Sequence, residues 1–142
     1  EREELQKFVS TEQFANVFFQ GYLPPSKIFD VLSQADILSI NLRDEELFKI
    51  TIPSKLQSSM ALKKPLLVAV GGEVNEIVNK SLSAVTAIPG SPISIQNALI
   101  KLLACKDEWQ AMGNNAKQCY LEKFSIKVNY TKLDSLLKEV AN

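Results

Sequence analysis

Residues 48–72 read FKITIPSKLQSSMALKKPLLVAVGG, and this stretch decides the fold class of the 142-residue chain. Pro53 suits the first position of a helix, because a proline there loses no helical hydrogen bond. That helix must end before Pro65, and the apolar run Leu66–Val70 then predicts a buried strand. A short helix that leads directly into a buried strand is typical of an α/β fold.

The start of this helix has the features of an anion site. Ser54 and Lys55 fall in the first turn, where backbone N–H groups lack helical partners and the helix dipole is positive. In a doubly wound sheet the carboxyl ends of the strands form the ligand-binding edge, and this helix start follows such an end. We therefore expect a phosphate here. The alternatives are a helix start that binds no ligand and a Lys55 that is merely solvated.

Composition limits the classes of function. With 46% hydrophobic and 23% charged residues, the chain fits one globular domain with its own core. Sixteen basic residues balance sixteen acidic ones, so we expect neither a nucleic acid nor an anionic membrane as a partner. The chain has no histidine, which excludes a Ser-His-Asp triad and a His-ligated metal within it. We expect no metal and no cofactor.

Cysteine content and hydropathy bear on location. The two cysteines do not form a framework of disulfides, which is typical of a cytoplasmic protein with reduced thiols. The longest apolar run, Leu66–Val70, is far too short to cross a bilayer, so the sequence predicts no transmembrane segment.

Apolar periodicity elsewhere predicts alternating strands and helices. The strands are expected at Val17–Gln20, Ala35–Leu42, Leu66–Val70 and Ala84–Ile88. The helices are expected around Leu5–Val9, from Ser26, from Pro53, over Glu73–Lys80, Ile95–Leu103 and Trp109–Tyr120, and from Ser125. Short connections between these elements favour right-handed crossovers and a Rossmann-like parallel sheet of about four strands, flanked by helices.

Several short motifs follow one another in a recognisable order. They are Gln20–Pro24 (QGYLP), Ala35–Leu38 (ADIL), Ile52–Lys55 (IPSK), Lys64–Pro65 (KP), Gly71–Val78 (GGEVNEIV), Ile88–Pro92 (IPGSP) and Met112–Ala116 (MGNNA). Together they resemble the C-terminal domain of family-4 glycosyltransferases with the GT-B fold, over essentially the whole chain. The IPSK segment is most similar to bacterial transferases of surface-polysaccharide biosynthesis, including the fucosamine-transferase type.

The resemblance implies a nucleotide-sugar site. The family segment that matches Thr51–Lys55 presents backbone N–H groups to the diphosphate of a UDP- or GDP-linked sugar, and the turn after Phe19 contacts the base. The family usually has two glutamates at the positions that correspond to Ile50 and Ser58 in this sequence. Neither Ile50 nor Ser58 can act as a carboxylate. Ser58 could still accept or donate a ribose hydrogen bond, and Ile50 could reflect a deoxy sugar. The nucleotide-binding candidates are Gly21, Tyr22, Thr51, Ile52, Ser54, Lys55 and Ser58; no catalytic residue is assigned.

The resemblance also implies a longer protein. Residues 1–142 would be part of a nucleotide-sugar-binding C-terminal domain, and two strands and an acceptor-binding N-terminal domain would precede Glu1. The whole protein would be a retaining transferase that acts on a growing cell-surface glycan or a lipid-linked acceptor. It would be located in the cytoplasm or peripherally at the inner face of the membrane. The chain alone would be inactive.

The arrangement of the sheet follows from the same expectation. If the chain without the two preceding strands is a stable monomer, Val17–Gln20 should pair directly with Ile37–Leu42. If it is not, we expect a dimer.

Two other classes of function fit part of the pattern. A nonenzymatic flavodoxin-like interaction module would share the strands and flanking helices, but no acidic cluster follows the first predicted strand. A GT-B nucleotide-sugar epimerase fragment would share the nucleotide site, yet it would need acid–base residues that this chain lacks. Binding of a nucleoside diphosphate would separate the transferase from the interaction module.

Overall fold

A computed structural model describes residues 2–140 as a three-stranded parallel sheet with helices on both faces. The strands are β1 (Leu38–Asn41), β2 (Leu66–Ala69) and β3 (Ala84–Thr86), in the order β1-β2-β3. The helices are α1 (Arg2–Thr11), α2 (Pro25–Ser33), α3 (Glu46–Lys49), α4 (Ser54–Ala61), α5 (Glu73–Lys80), α6 (Pro92–Ala104), α7 (Trp109–Lys123) and α8 (Ile126–Val140), with a 3-10 turn at Lys106–Glu108. The predicted α/β class with a Rossmann-like parallel sheet is confirmed.

The strand predicted at Val17–Gln20 is wrong. This segment belongs to no sheet, and the side chains of Val17, Phe18 and Phe19 are 43%, 78% and 38% exposed. An extended segment becomes a strand only when a neighbour takes up its N–H and C=O groups, and no strand of residues 2–140 does so. The sheet therefore has three strands rather than about four, and the expected pairing of Val17–Gln20 with Ile37–Leu42 is not found.

Element boundaries differ from the expectations by a few residues. Pro53 lies just before α4 as its N-cap, so Ser54 rather than Pro53 is the first helical residue. Helix α2 begins at Pro25, one residue before the expected Ser26, and Pro24 is its N-cap. Helix α5 matches its predicted bounds, because its apolar spacing begins directly after the paired glycines.

The core lies on both faces of β2, whose four residues are all buried. On one face Leu66 and Val68 pack with residues of α4, α5 and α7, including Leu56, Met60 and Ala116. On the other face Leu67 and Ala69 pack mainly with α6, through Ala98 and Leu102. Between Arg2 and Val140, no helix has the length and apolar character needed to cross a bilayer.

Helix α7 packs against the turn that ends α4. A Cβ atom on Gly113 would overlap the backbone carbonyl oxygen of Lys63, so the close approach requires glycine at this position. One turn further along, the Lys117 ammonium donates a hydrogen bond of 3.0 Å to the Ala61 carbonyl, which has no helical partner at the end of α4. Helix α7 thus holds the C-terminal end of α4 against β2.

The first prediction concerns Gly113. In an exposed helix a glycine-to-alanine change stabilises by about 1 kcal/mol, but here the added methyl group meets backbone that cannot move without displacing α4. We expect Gly113→Ala to lower the free energy of unfolding by roughly 1–3 kcal/mol in urea titrations. Asn114→Ala, on the exposed side of the same helix, should change it by less than about 0.5 kcal/mol. An equally stable G113A protein would contradict the packing.

The second prediction concerns Lys63, an exposed residue that adopts φ 59° just beyond the C-cap residue of α4, Leu62. Left-handed backbone costs a residue with a side chain about 1 kcal/mol relative to glycine. Lys63→Gly should therefore raise the free energy of unfolding by roughly 0.5–1 kcal/mol. Lys64→Gly, at a neighbouring residue whose φ is not positive, should lower it. A Lys63→Gly variant that is less stable than the parent would show that no strain is relieved there.

Candidate functional site

Loops at the carboxyl ends of β1 and β2 meet at one edge of the sheet. The loop after β1 contains α3, and β2 is followed by Gly71 and Gly72. Gly72 has φ 66°, and a Cβ atom there would overlap the backbone of Lys49. The chain after β1 can therefore lie directly against the turn after β2 only because that turn has no side chain. This contact builds the edge at which doubly wound sheets bind ligands.

Lys49 ties the two loops together through its side chain as well. Its aliphatic part lies across Gly71, with Cγ 3.4 Å from where a Cβ atom of that glycine would be. Its ammonium group lies 2.7 Å from the Glu46 carboxylate and 3.5 Å from the Asp44 carboxylate. The hydrogen bond with Glu46, followed by the charges of Asp44 and Glu46, raises the pKa of Lys49. Lys49 is thus a charged residue of the edge whose ammonium is already paired with its own loop.

The start of α4 is exposed at this edge. Ser54 and Lys55 are its first two residues, and both are exposed. Their N–H groups have no acceptor within the helix, and Pro53 has no side-chain oxygen that could cap them. The next N–H group, of Leu56, already bonds to the Pro53 carbonyl at 3.0 Å. The two preceding candidates, Thr51 and Ile52, are half-buried.

The candidate hydroxyl groups are partly engaged within the protein. The Thr51 hydroxyl donates to the Leu47 carbonyl at 2.9 Å, which holds the loop against α3. The Ser58 hydroxyl lies 3.1 Å from the carbonyl oxygens of both Ser54 and Lys55, so its single proton points back into its own helix. Ser58 can therefore accept a hydrogen bond from a ligand, but its own proton is already donated to carbonyl oxygens of α4.

An open groove of about 760 Å³ runs between α2 and α4 beside β1. It brings together Ser54, Lys55 and Ser58 on its α4 side. Its α2 side is apolar and includes Ile28 and Phe29. The groove thus combines a cationic and hydroxyl-bearing wall with an apolar wall.

Gly21 and Tyr22 are not among the residues that line this groove. The Tyr22 side chain is 87% exposed, and Gly21, with φ 77°, lies next to the Arg2 guanidinium. Because Val17–Gln20 is not paired into the sheet, the turn that follows is not held at the carboxyl edge. The structure therefore groups Ser54, Lys55 and Ser58, with Thr51 and Ile52 preceding them in the chain, and leaves Gly21 and Tyr22 outside.

Sequence reasoning missed Lys49, although a signal for its position was present. Consecutive glycines directly after a buried strand mark a place where other backbone approaches closely. That signal does not identify which backbone approaches, because the partner lies in a separate loop.

Comparisons with known proteins agree with this architecture. The sequence profile of the family Glycosyl transferases group 1 matches residues 1–119. The chain is 21% identical over 136 residues to the Pseudomonas aeruginosa protein described as "Probable glycosyltransferase WbjE", an alignment that covers 94% of this chain and 33% of that protein.

A solved structure shares the fold. Sucrose-phosphate synthase (tll1590) from Thermosynechococcus elongatus superposes with a TM-score of 0.76 at 15% identity, over 98% of this chain and 34% of that one. The chain thus spans about a third of the length of either relative. Because the family profile covers most of the sequence, the chain belongs to the Glycosyl transferases group 1 family.

Proposed function

We propose that the start of α4 binds the diphosphate of a UDP- or GDP-linked sugar, as part of a retaining glycosyltransferase. The observation that carries the proposal is the position of Ser54 and Lys55, exposed at a helix start on the carboxyl edge of a parallel sheet. Membership of the family favours a transferase over the flavodoxin-like module and over the epimerase fragment.

Elementary electrostatics supports a diphosphate at this place. Free N–H groups and the positive end of the helix dipole together stabilise an anion by about 0.3–2 kcal/mol, depending on burial. Lys55 adds a full positive charge beside them. During sugar transfer the diphosphate gains charge as it leaves, so groups already aimed at it stabilise the transition state more than the bound donor.

The other candidates take supporting roles in the proposal. Thr51 and Ile52 hold the backbone that leads into α4, and the Ser58 oxygen accepts a hydrogen bond from a ribose hydroxyl. Gly21 and Tyr22 contact the base, which requires their turn to move from its present position. Ile50, whose side chain is 75% exposed, offers an apolar contact that suits a deoxy sugar.

The remaining parts of the reaction are assigned to polypeptide outside this chain. The relatives are about three times as long, and we propose that acceptor binding and the catalytic residues need such additional length. The acceptor would be a growing cell-surface glycan or a lipid-linked precursor in bacterial polysaccharide biosynthesis, handled at the cytoplasmic face of the membrane. A fucosamine-type donor is the narrowest form of the proposal.

The third prediction tests Lys55 with a control from the same chain. The sequence Pro-Ser-Lys occurs at the start of α4 and again at Pro25–Lys27, where α2 begins. Lys55→Ala should weaken UDP or GDP binding about 5–30-fold, because a charge-assisted contact with phosphate is lost. Binding of uridine or guanosine should change little. Lys27→Ala, in the second Pro-Ser-Lys sequence at a residue that does not line the groove, should leave all affinities unchanged in isothermal titration calorimetry.

Two results would count against the proposed function. If Lys55→Ala weakened nucleoside and nucleoside diphosphate equally, the lysine would not act on phosphate. If the parent chain bound neither UDP nor GDP, the start of α4 would not be an independent diphosphate site.

A further inference from the structure

Lys49 is held at the carboxyl edge of the sheet both by its aliphatic chain and by its ammonium group. The aliphatic chain lies along Gly71, with Cγ and Cε 3.4 and 3.9 Å from where a Cβ atom of that glycine would be. The ammonium group is paired with the Glu46 carboxylate at 2.7 Å and with the Asp44 carboxylate at 3.5 Å. By rotation at the end of the side chain, the ammonium can change partners while most of the aliphatic chain stays in place.

The two carboxylates hold this ammonium only weakly. The side chains of Glu46 and Asp44 are 90% and 58% exposed, so water solvates both carboxylates whether or not the lysine is bound to them. Exposed ion pairs contribute little to stability, because hydration and salt screen the two charges. A phosphate group accepts charge-assisted hydrogen bonds through several oxygens. A diphosphate at this edge can therefore displace the carboxylates from Lys49.

The chain connection from Lys49 to the start of α4 is short. Four residues separate Lys49 from Ser54, the first residue of α4. Even a fully extended chain would place the two Cα atoms at most about 18 Å apart. The hydrogen bond of 2.9 Å from the Thr51 hydroxyl to the Leu47 carbonyl folds this connection back towards α3. Lys49 thus belongs to the same edge of the sheet as the exposed first turn of α4.

We propose that Lys49 is a second phosphate-binding residue of this edge, and that its ammonium exchanges Glu46 and Asp44 for the diphosphate when a nucleoside diphosphate binds. This inference rests on the proposed function, since it needs the diphosphate at the start of α4. Lys49 and Lys55 then supply two positive charges to a group that carries more than one negative charge. Before binding, the carboxylates occupy the ammonium and so lower the affinity for the diphosphate.

Calorimetric titration tests the role of Lys49, with UDP or GDP, whichever the parent chain binds more tightly, and with the corresponding nucleoside. Lys49→Met keeps an unbranched apolar chain along Gly71 and removes the charge. This change should weaken binding of the nucleoside diphosphate about 5–30-fold and leave nucleoside binding unchanged. Circular dichroism checks the fold, and Lys49→Gln replaces Lys49→Met if that variant does not fold.

Glu46→Gln gives the sharper result, because its effect should depend on Lys49. Loss of the carboxylate frees the ammonium and should strengthen binding of the nucleoside diphosphate about 2–5-fold. In the Lys49→Met background the same change should lose most of its effect. Glu73→Gln is the matched control, since this exposed carboxylate directly follows Gly72 and is not one of the two that pair with Lys49 in the described part of the chain. Any effect of Glu73→Gln should be the same in both backgrounds.

The outcomes distinguish failure of the exchange from failure of the diphosphate site. Binding that Lys55→Ala weakens and Lys49→Met does not would overturn the exchange and leave the site at α4 standing. An equal gain from Glu46→Gln with and without Lys49 would show that this carboxylate acts by general repulsion. Equal losses of nucleoside and nucleoside diphosphate in Lys49→Met would assign Lys49 to packing alone. A parent chain that binds no nucleoside diphosphate would overturn both proposals.

Discussion

The close approach of α7 to the turn after α4, at Gly113, fixes the helix that starts at the ligand-binding edge of the sheet. It allows the Lys63 carbonyl to lie where a side chain would otherwise be, and Lys117 then caps the Ala61 carbonyl one turn away. These contacts fix the C-terminal end of α4, while Leu56 and Met60 bury its inner face in the core. Since a helix this short is rigid, its start is then fixed at the carboxyl edge of the sheet.

A second glycine contact fixes the opposite side of that edge. Gly72 lets the backbone of Lys49 pack directly on the turn after β2, and the Lys49 side chain adds its ion pairs with Asp44 and Glu46. The positions of both loops therefore depend on backbone packing that a methyl group would disrupt. A site of this kind can present N–H groups to an anion with few charged side chains, which fits a chain whose formal charges cancel.

The sequence predicted the elements whose signals are local. The apolar run of β2 and the spaced apolar residues of α5 lie within a few positions of the observed bounds, because burial of one segment determines each. Val17–Gln20 carries an equally strong local signal, but strand formation also needs a neighbour, which no local pattern reveals.

At the site, the sequence predicted that Ser54 and Lys55 lie in the first turn of a helix. The pairing of Lys49 could not be predicted, since it depends on where α3 lies relative to Gly71 and Gly72. Conversely, the bond of the Ser58 hydroxyl to its own helix is local and could have been foreseen.

The first turn of α4, held from behind by α7, is the anion site that we propose at the sheet edge. Titration of the ¹⁵N-labelled chain with UDP, followed by amide chemical shifts, tests it most directly. We expect the largest saturable shifts at the amides of Ser54 and Lys55 and smaller ones at Gly71 and Gly72, and we expect uridine to leave Ser54 and Lys55 almost unshifted. Saturable shifts centred elsewhere, or equal shifts of these two amides with uridine, would contradict it.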